Sequence, residues 1–287
     1  MKYRRLGRTG LEVSEVGISG APLGIPDYLE KWSPETAETE RTVREMLARA
    51  IDLGYNYIDT APSYGAGRSE ELIGLGLEGG HRSKVHLATK FLWRGQGKAA
   101  VLESVEASLR RLRTDYIDVL QIHGDTGYAY TPEDFHWIME NGPVDAIQQL
   151  REQGKIRFAG ITCEEPISLV PFLETSQFDV IQIKYNVIHQ GAWHNVIPLA
   201  STLDLGIVTM RPLTSGIFQK LMRNARRDIE ELVDLNELAL NFILSEPAIS
   251  SAVVGVRRTS EIERNNATSD TARRIDLGNL QDRRVRG

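Results

Sequence analysis

The chain of 287 residues is 41% hydrophobic and 25% charged, with a formal net charge of -5, which supplies core enough for a globular fold and speaks against a surface built for nucleic acid. Its single cysteine, Cys163, excludes an intramolecular disulfide and a cysteine-rich metal site. No sustained apolar stretch follows Lys2, Arg4 and Arg5, so the expectation is a cytoplasmic protein with no membrane segment and no bound metal.

In chain order, residues 3–6 and 11–14 flank Gly7-Arg8-Thr9-Gly10 and read as a β-hairpin around a glycine-containing loop. Eight short apolar runs follow, at residues 16–19, 57–60, 85–90, 116–123, 156–162, 180–186, 206–211 and 251–256, and each reads as a strand. Helical patterns separate them. Val43, Met46, Leu47, Ala50 and Ile51 share one helical face, as do Val101, Val105, Leu109 and Leu112, and later Leu235, Leu238, Ala239, Phe242 and Ile243. Ser33 before Pro34 suits an earlier helical turn. Gly54, Gly154 and Gly206 each follow a helical pattern and precede a strand, where a residue free to take positive φ ends a helix at low cost.

Turn-forming residues are scattered rather than gathered at a boundary, so one domain over residues 1–287 is expected. A strand and a helix repeated eight times is the count that closes a (β/α)8 TIM barrel, an α/β fold whose bottom mouth the N-terminal hairpin would close. The continuous apolar strands fit a barrel packed inside and covered outside, with an open doubly wound sheet as the competing arrangement. Gly74-Leu75-Gly76-Leu77-Glu78-Gly79 satisfies GxGxxG, but it follows the helical run Ser69-Glu70-Glu71-Leu72-Ile73. A phosphate-cradling version must follow a strand, so this one reads as a helix end.

In a parallel barrel the loops leaving the C-terminal strand ends form the pocket, and polar residues there are candidates for chemistry. Asp59 falls near the end of the second barrel strand, Lys90 closes the third and His123 the fourth, while Tyr64 lies in the loop leaving the Asp59 strand. Reducing a carbonyl by hydride requires a proton on its oxygen, and a phenol with an ordinary pKa of about 10 is a weak acid at neutral pH. An adjacent Lys90 ammonium would lower the Tyr64 pKa, with Asp59 holding that ammonium charged. A neutral His123 would orient the carbonyl oxygen by a hydrogen bond.

The segments YIDTAPSYGAGRSEELIG, VHLATK, SLRRLRTDYIDVLQIH, GKIRFAGIT and VVGVRRTSEIERNN resemble the aldo-keto reductase superfamily over nearly the whole chain. The resemblance implies that Asp59, Tyr64, Lys90 and His123 form a catalytic tetrad, and that a nicotinamide cofactor, NADP or NAD, lies across the strand ends. It implies carboxamide contacts from Thr162, Cys163 and Gln182, with Cys163 standing where the family more often has Asn. Met210 stands where the family commonly offers an aromatic ring. Asp59, Gly20 and Ala21 would border the same cofactor. Arg211, Pro212, Leu213, Ser215 and Gly216 would wrap its pyrophosphate, and Gly255, Arg257, Arg258, Glu261, Asn265 and Asn266 would carry its adenosine end. Arginines at a helix N-terminus suit the 2′-phosphate of NADP, against which stand Glu261 and the absence of the Lys-Ser pair of many NADP-preferring relatives; the balance favours NADP over NAD.

The expected substrate contacts are Tyr64, Trp93, His123 and Tyr128. Trp93 and Arg94 follow Lys90, Asp125, Tyr128, Tyr130 and Trp137 follow His123, and His189 and Trp193 follow the sixth strand. Such walls suit sugars and small aromatic carbonyls equally. The expected partner is a small-molecule carbonyl or alcohol, with no expectation for the oligomeric state. Two other readings explain part of the pattern. A Schiff-base aldolase would use Lys90 but leave Tyr64 without a role. A non-catalytic nicotinamide-binding regulatory subunit would resemble the relatives associated with potassium channels.

Overall fold

A chain whose apolar strands have no polar face must cover its sheet on both sides. The computed structural model, which describes residues 1–28, 30–124 and 127–271, does so by closing the sheet on itself. Strands β1 (Tyr3–Arg5) and β2 (Glu12–Ser14) pair antiparallel. Next come β3 (Val16–Ser19), β4 (Tyr57–Asp59), β5 (His86–Phe91), β6 (Ile117–Ile122), β7 (Ile156–Cys163), β8 (Val180–Lys184), β9 (Gly206–Met210) and β10 (Ser251–Gly255). These eight run parallel in chain order, and β10 pairs with β3, so the barrel closes and no open doubly wound sheet forms.

Side chains alternate along a strand, so one register decides everything that faces the axis. Tyr57, Ala88, Val119, Val180, Val208 and Val253 form an inner core together with Leu6, Leu11 and Val13 of the hairpin. The next inward positions toward the C-terminal ends are Asp59, Lys90, Gln121, Gln182 and Met210, which that register carries up to the barrel mouth. The hairpin closes the opposite mouth. Ser14 N donates to Asn56 Oδ1 at 2.6 Å just ahead of β4. A Cβ on Gly206 would stand 2.7 Å from the Leu6 side chain. Gly206 therefore opens β9 beneath Leu6 instead of ending a helix, and the left-handed residue at that turn is Asp204, with φ 54°.

Outside the barrel, the helix Ala37–Asp52 buries Val43, Met46, Leu47 and Ala50, and the helix Lys98–Leu112 buries Val101, Val105, Leu109 and Leu112. The first starts where Thr36 accepts from Thr39 N at 3.1 Å. Ser33-Pro34 leads into a turn and not into helix, because the side-chain cap sits at Thr36. The GxGxxG stretch lies where the helix Arg68–Gly76 ends. Cβ atoms on Gly74 and Gly76 would each stand 2.4 Å from a neighbouring helix, at Arg111 O and Leu47 Cδ1, so these glycines serve helix contact. Among the described residues no helix is long and apolar enough to cross a membrane.

Candidate active site

Strands β4, β5 and β6 end side by side: Lys90 and Gln121 are register partners, and Asp59 pairs with Ala88, two residues before Lys90 on the same inward face. Lys90 is 2% exposed. Its Nζ donates to Asp59 Oδ1 at 2.9 Å and Oδ2 at 2.7 Å, to Thr60 O at 2.8 Å and to the Tyr64 hydroxyl at 3.2 Å. Gln121 Nε2 and Gln182 Nε2 donate to the same carboxylate from the other side, at 3.0 and 3.3 Å.

Tyr64 reaches this cluster from the loop after β4. Gly65 takes φ 68°, and a Cβ there would stand 1.9 Å from Gly24 O, so only glycine lets the loop press against the segment Ala21–Gly24. Ser69 N closes the loop by donating to Tyr64 O at 3.1 Å. His123 meets the Tyr64 ring edge-on with centroids 5.8 Å apart, and its Nδ1 lies 3.4 Å from Ser63 Oγ.

The electrostatics depart from the sequence expectation in one respect. Burial raises the Tyr64 phenol above its ordinary pKa; Lys90 pulls it down, Asp59 pushes it up, and the net result is upward. Burial works against the Lys90 ammonium, but Asp59 and Tyr64 outweigh it and hold the amine above its ordinary pKa. A Schiff-base lysine must offer a neutral amine, so this environment opposes the aldolase reading. Burial, and then Lys90, depress His123 to about 3, which leaves a neutral imidazole at physiological pH.

These groups line a cavity of about 580 Å³ at the C-terminal mouth of the barrel. Ala21, Thr162, Gln182 and Met210 line it with Tyr64, Lys90 and His123, as do Arg211, Pro212, Leu213, Ser215, Gly216 and Gly255. The donor set suits a nicotinamide carboxamide. Gln182 Oε1 is buried without a hydrogen-bond partner among the described residues. Thr162 Oγ1 accepts from Gly124 N at 2.9 Å, which leaves its own proton to give. Farther along the wall, Thr214, Ser215 and Gly216 take φ of 55°, 52° and 81° just before the helix Ile217–Ala225. Consecutive left-handed residues ahead of a helix make a backbone concavity for an anion.

Several sequence expectations fall outside this cavity. Cys163 alternates with Thr162 and turns outward, with Sγ contacting Tyr128 O, Glu165 O and Ser168 Oγ, so its thiol cannot reach a carboxamide. Gly20 packs against Ser69, and Asp59 stands behind Lys90. Trp93 is 3% exposed and packs on Tyr130, and the Tyr128 ring lies against the Arg94 guanidinium at 4.1 Å; neither lines the cavity. Asp125 lies outside the described residues. Arg257 is 4% exposed. It donates to Pro22 O at 3.0 Å, to Glu30 at 2.9 Å and to Tyr28 O, with the Trp32 ring 5.1 Å away, so its donors are taken up by the segment after β3. Arg258 is shared between Glu30 and Glu261, while Glu261 Oε2 accepts from Arg257 N and Arg258 N at 2.7 and 3.0 Å. Asn265 is buried, and Asn266 donates to Asp270.

The cavity also takes in Tyr28, Glu164, Gln219, Arg223 and Asn236, which the sequence reading missed. Strand alternation could have found Glu164, two residues past Thr162, and helical spacing relates Gln219 to Arg223. Tyr28 sits in irregular backbone and gives no periodic signal.

The pattern of the Aldo/keto reductase family matches residues 28–274. Aldo-keto reductase YhdN of Bacillus subtilis is 30% identical over 304 residues, covering 92% of this chain and 87% of the relative. Among solved structures, the holo form of aldo-keto reductase AKR11C1 from Bacillus halodurans matches with a TM-score of 0.79 at 26% identity, covering 98% of this chain and 94% of that one. An aldo/keto reductase from Klebsiella pneumoniae in complex with NADP and acetate matches with a TM-score of 0.75 at 25% identity, covering 98% and 93%.

Proposed function

The chain belongs to the aldo/keto reductase family and is an NAD(P)-dependent oxidoreductase of carbonyl and alcohol groups, and from that premise we propose that Tyr64 is its general acid and base. The cofactor, when bound, supplies or accepts the hydride. Tyr64 gives its proton to the carbonyl oxygen in reduction and takes it back in alcohol oxidation. Lys90 stabilises the phenolate left behind, and Asp59 keeps Lys90 charged and aimed. Neutral His123 fixes the carbonyl oxygen by a hydrogen bond.

The observation that supports this reading is the continuous chain from the Asp59 carboxylate through the Lys90 ammonium to the Tyr64 hydroxyl, with 2.7 and 3.2 Å steps inside one cavity. For the cofactor we favour NADP(H), which the Klebsiella pneumoniae relative holds. Thr162 and Gln182 would hold the carboxamide, and the left-handed stretch before Ile217 the pyrophosphate. A panel of aldehydes, ketones and alcohols run with NADPH and NADH side by side tests the proposal. Substrate-dependent oxidation of NADPH in preference to NADH is expected. Dinucleotide binding without turnover on any of them would instead favour a regulatory subunit.

A further inference from the structure

The Asp59 carboxylate accepts from two glutamines as well as from Lys90, and only one of the two faces the cavity. Gln182 lines the wall, stands 3.3 Å from Asp59 Oδ2 and would also serve the dinucleotide carboxamide. Gln121 is fully buried, lies outside the cavity lining and gives its amide to Asp59 Oδ1 at 3.0 Å. Room for it comes from the next strand. Gly160 is its register partner on β7, and a Cβ there would stand 2.9 Å from Gln121 Cγ. Gln121 Oε1 has no hydrogen-bond partner among the described residues. A methionine would fill the same space without burying an unpaired carbonyl oxygen, so packing alone does not account for a glutamine here. What the amide adds is its bond to Oδ1.

That bond bears on where Lys90 directs its protons. An ammonium has three N–H donors, but four acceptors surround Lys90 Nζ: Asp59 Oδ2 at 2.7 Å, Thr60 O at 2.8 Å, Asp59 Oδ1 at 2.9 Å and the Tyr64 hydroxyl at 3.2 Å. The Tyr64 oxygen is uncharged and the most distant of the four, so it is the one left out when all compete. Gln121 satisfies one competitor. With the amide on Oδ1, an ammonium proton is free to point at Tyr64, where a phenolate would form. The titratable groups that feel the Asp59 charge include Lys90 on β5, Tyr64 in the loop after β4 and Tyr57 one layer down on β4 itself.

We propose that Gln121 is a positioning residue for the reaction: by satisfying Asp59 Oδ1 it leaves Lys90 a proton with which to hold the Tyr64 phenolate. The proposal rests on the reductase reading above. Wild type, Gln121→Met and Gln121→Glu are compared in both reaction directions across pH, and dinucleotide affinity is measured separately by fluorescence. In Gln121→Met, kcat falls about tenfold, the effect of one lost hydrogen bond to a charged group, while aldehyde KM and dinucleotide affinity hold. Its alcohol oxidation rises about one pH unit later, the same tenfold expressed on the phenolate. Gln121→Glu can donate to Asp59 only while its own carboxyl is protonated, and burial beside a carboxylate raises that pKa. Its reduction rate therefore matches the wild type near about pH 6 and declines toward about pH 10, where the wild type stays level. An unchanged kcat in Gln121→Met, or a loss that leaves its oxidation profile in place, overturns the proposal. So does a Gln121→Glu rate that is level with the wild type, or equally depressed, at every pH, which decides the matter should the methionine variant not fold. Each of these leaves the reductase reading standing. A wild type that binds dinucleotide but turns over no carbonyl or alcohol overturns both.

Discussion

The Lys90 ammonium stands 3.2 Å from the Tyr64 hydroxyl, and the phenol is nonetheless held above its ordinary pKa. Burial outweighs the neighbouring charge. In the proposed reaction the proton would stay on Tyr64 until the carbonyl oxygen gains negative charge, and the ammonium would act at that moment, when a phenolate begins to form beside it. On that proposal Lys90 would differentiate the transition state from the ground state rather than acidify the resting phenol.

The pH dependence follows from this. Reduction needs the protonated phenol, so its rate should stay level through neutral pH and fall only above about 10, the ordinary phenol value. Alcohol oxidation needs the phenolate and should rise as pH increases. Measuring both directions across pH at saturating dinucleotide checks the assignment; a loss of reduction below pH of about 8 would contradict it.

His123 makes a prediction about stability. Its folded pKa is about 3, against about 6.5 in an unfolded chain. Between those values the unfolded chain binds a proton that the folded chain refuses. The contribution of His123 is therefore complete above about pH 6.5 and is lost progressively as pH falls toward the folded value. In denaturant titrations from neutral to acid pH, His123→Asn should lose stability less steeply than the wild type. Parallel slopes would mean that the imidazole is not kept neutral.

Much of this was legible in the sequence for a physical reason. Asp59, Lys90 and His123 close apolar strands, and strand alternation carries their direction from the core residues Tyr57, Ala88 and Val119. All eight barrel strands were anticipated to within two residues at each end. Long-range pairings were not legible. Nothing local ties Arg257 to Pro22, Tyr28 and Glu30, which lie more than 200 positions earlier. Trp93 and Tyr128 follow strand ends as substrate residues would, yet packing with Tyr130 and Arg94 draws them away from the cavity. Cys163 illustrates the finer limit. Its family position suggests a cofactor contact, while the two-residue strand period turns its thiol outward.

The Arg257 clasp should be costly to break. Arg257→Met leaves the backbone carbonyls of Pro22 and Tyr28 without their donor and leaves Glu30 to Arg258 alone, and should destabilise the fold by about 2–3 kcal/mol. It should also raise KM for aldehydes more than it lowers kcat, because the clasp holds the Tyr28 wall and lies apart from Tyr64. Denaturant midpoints at unchanged m-value, together with steady-state kinetics, test both parts. A purely kcat effect would contradict the positioning role.

The most direct test of the proposed chemistry is the Tyr64→Phe variant, with turnover and dinucleotide affinity measured on the same preparation. Removing one hydroxyl oxygen should lower carbonyl reduction by about 10²–10⁴-fold, the range for losing a general acid, while dinucleotide affinity holds. Turnover at the wild-type rate in that variant would show that the proton comes from elsewhere.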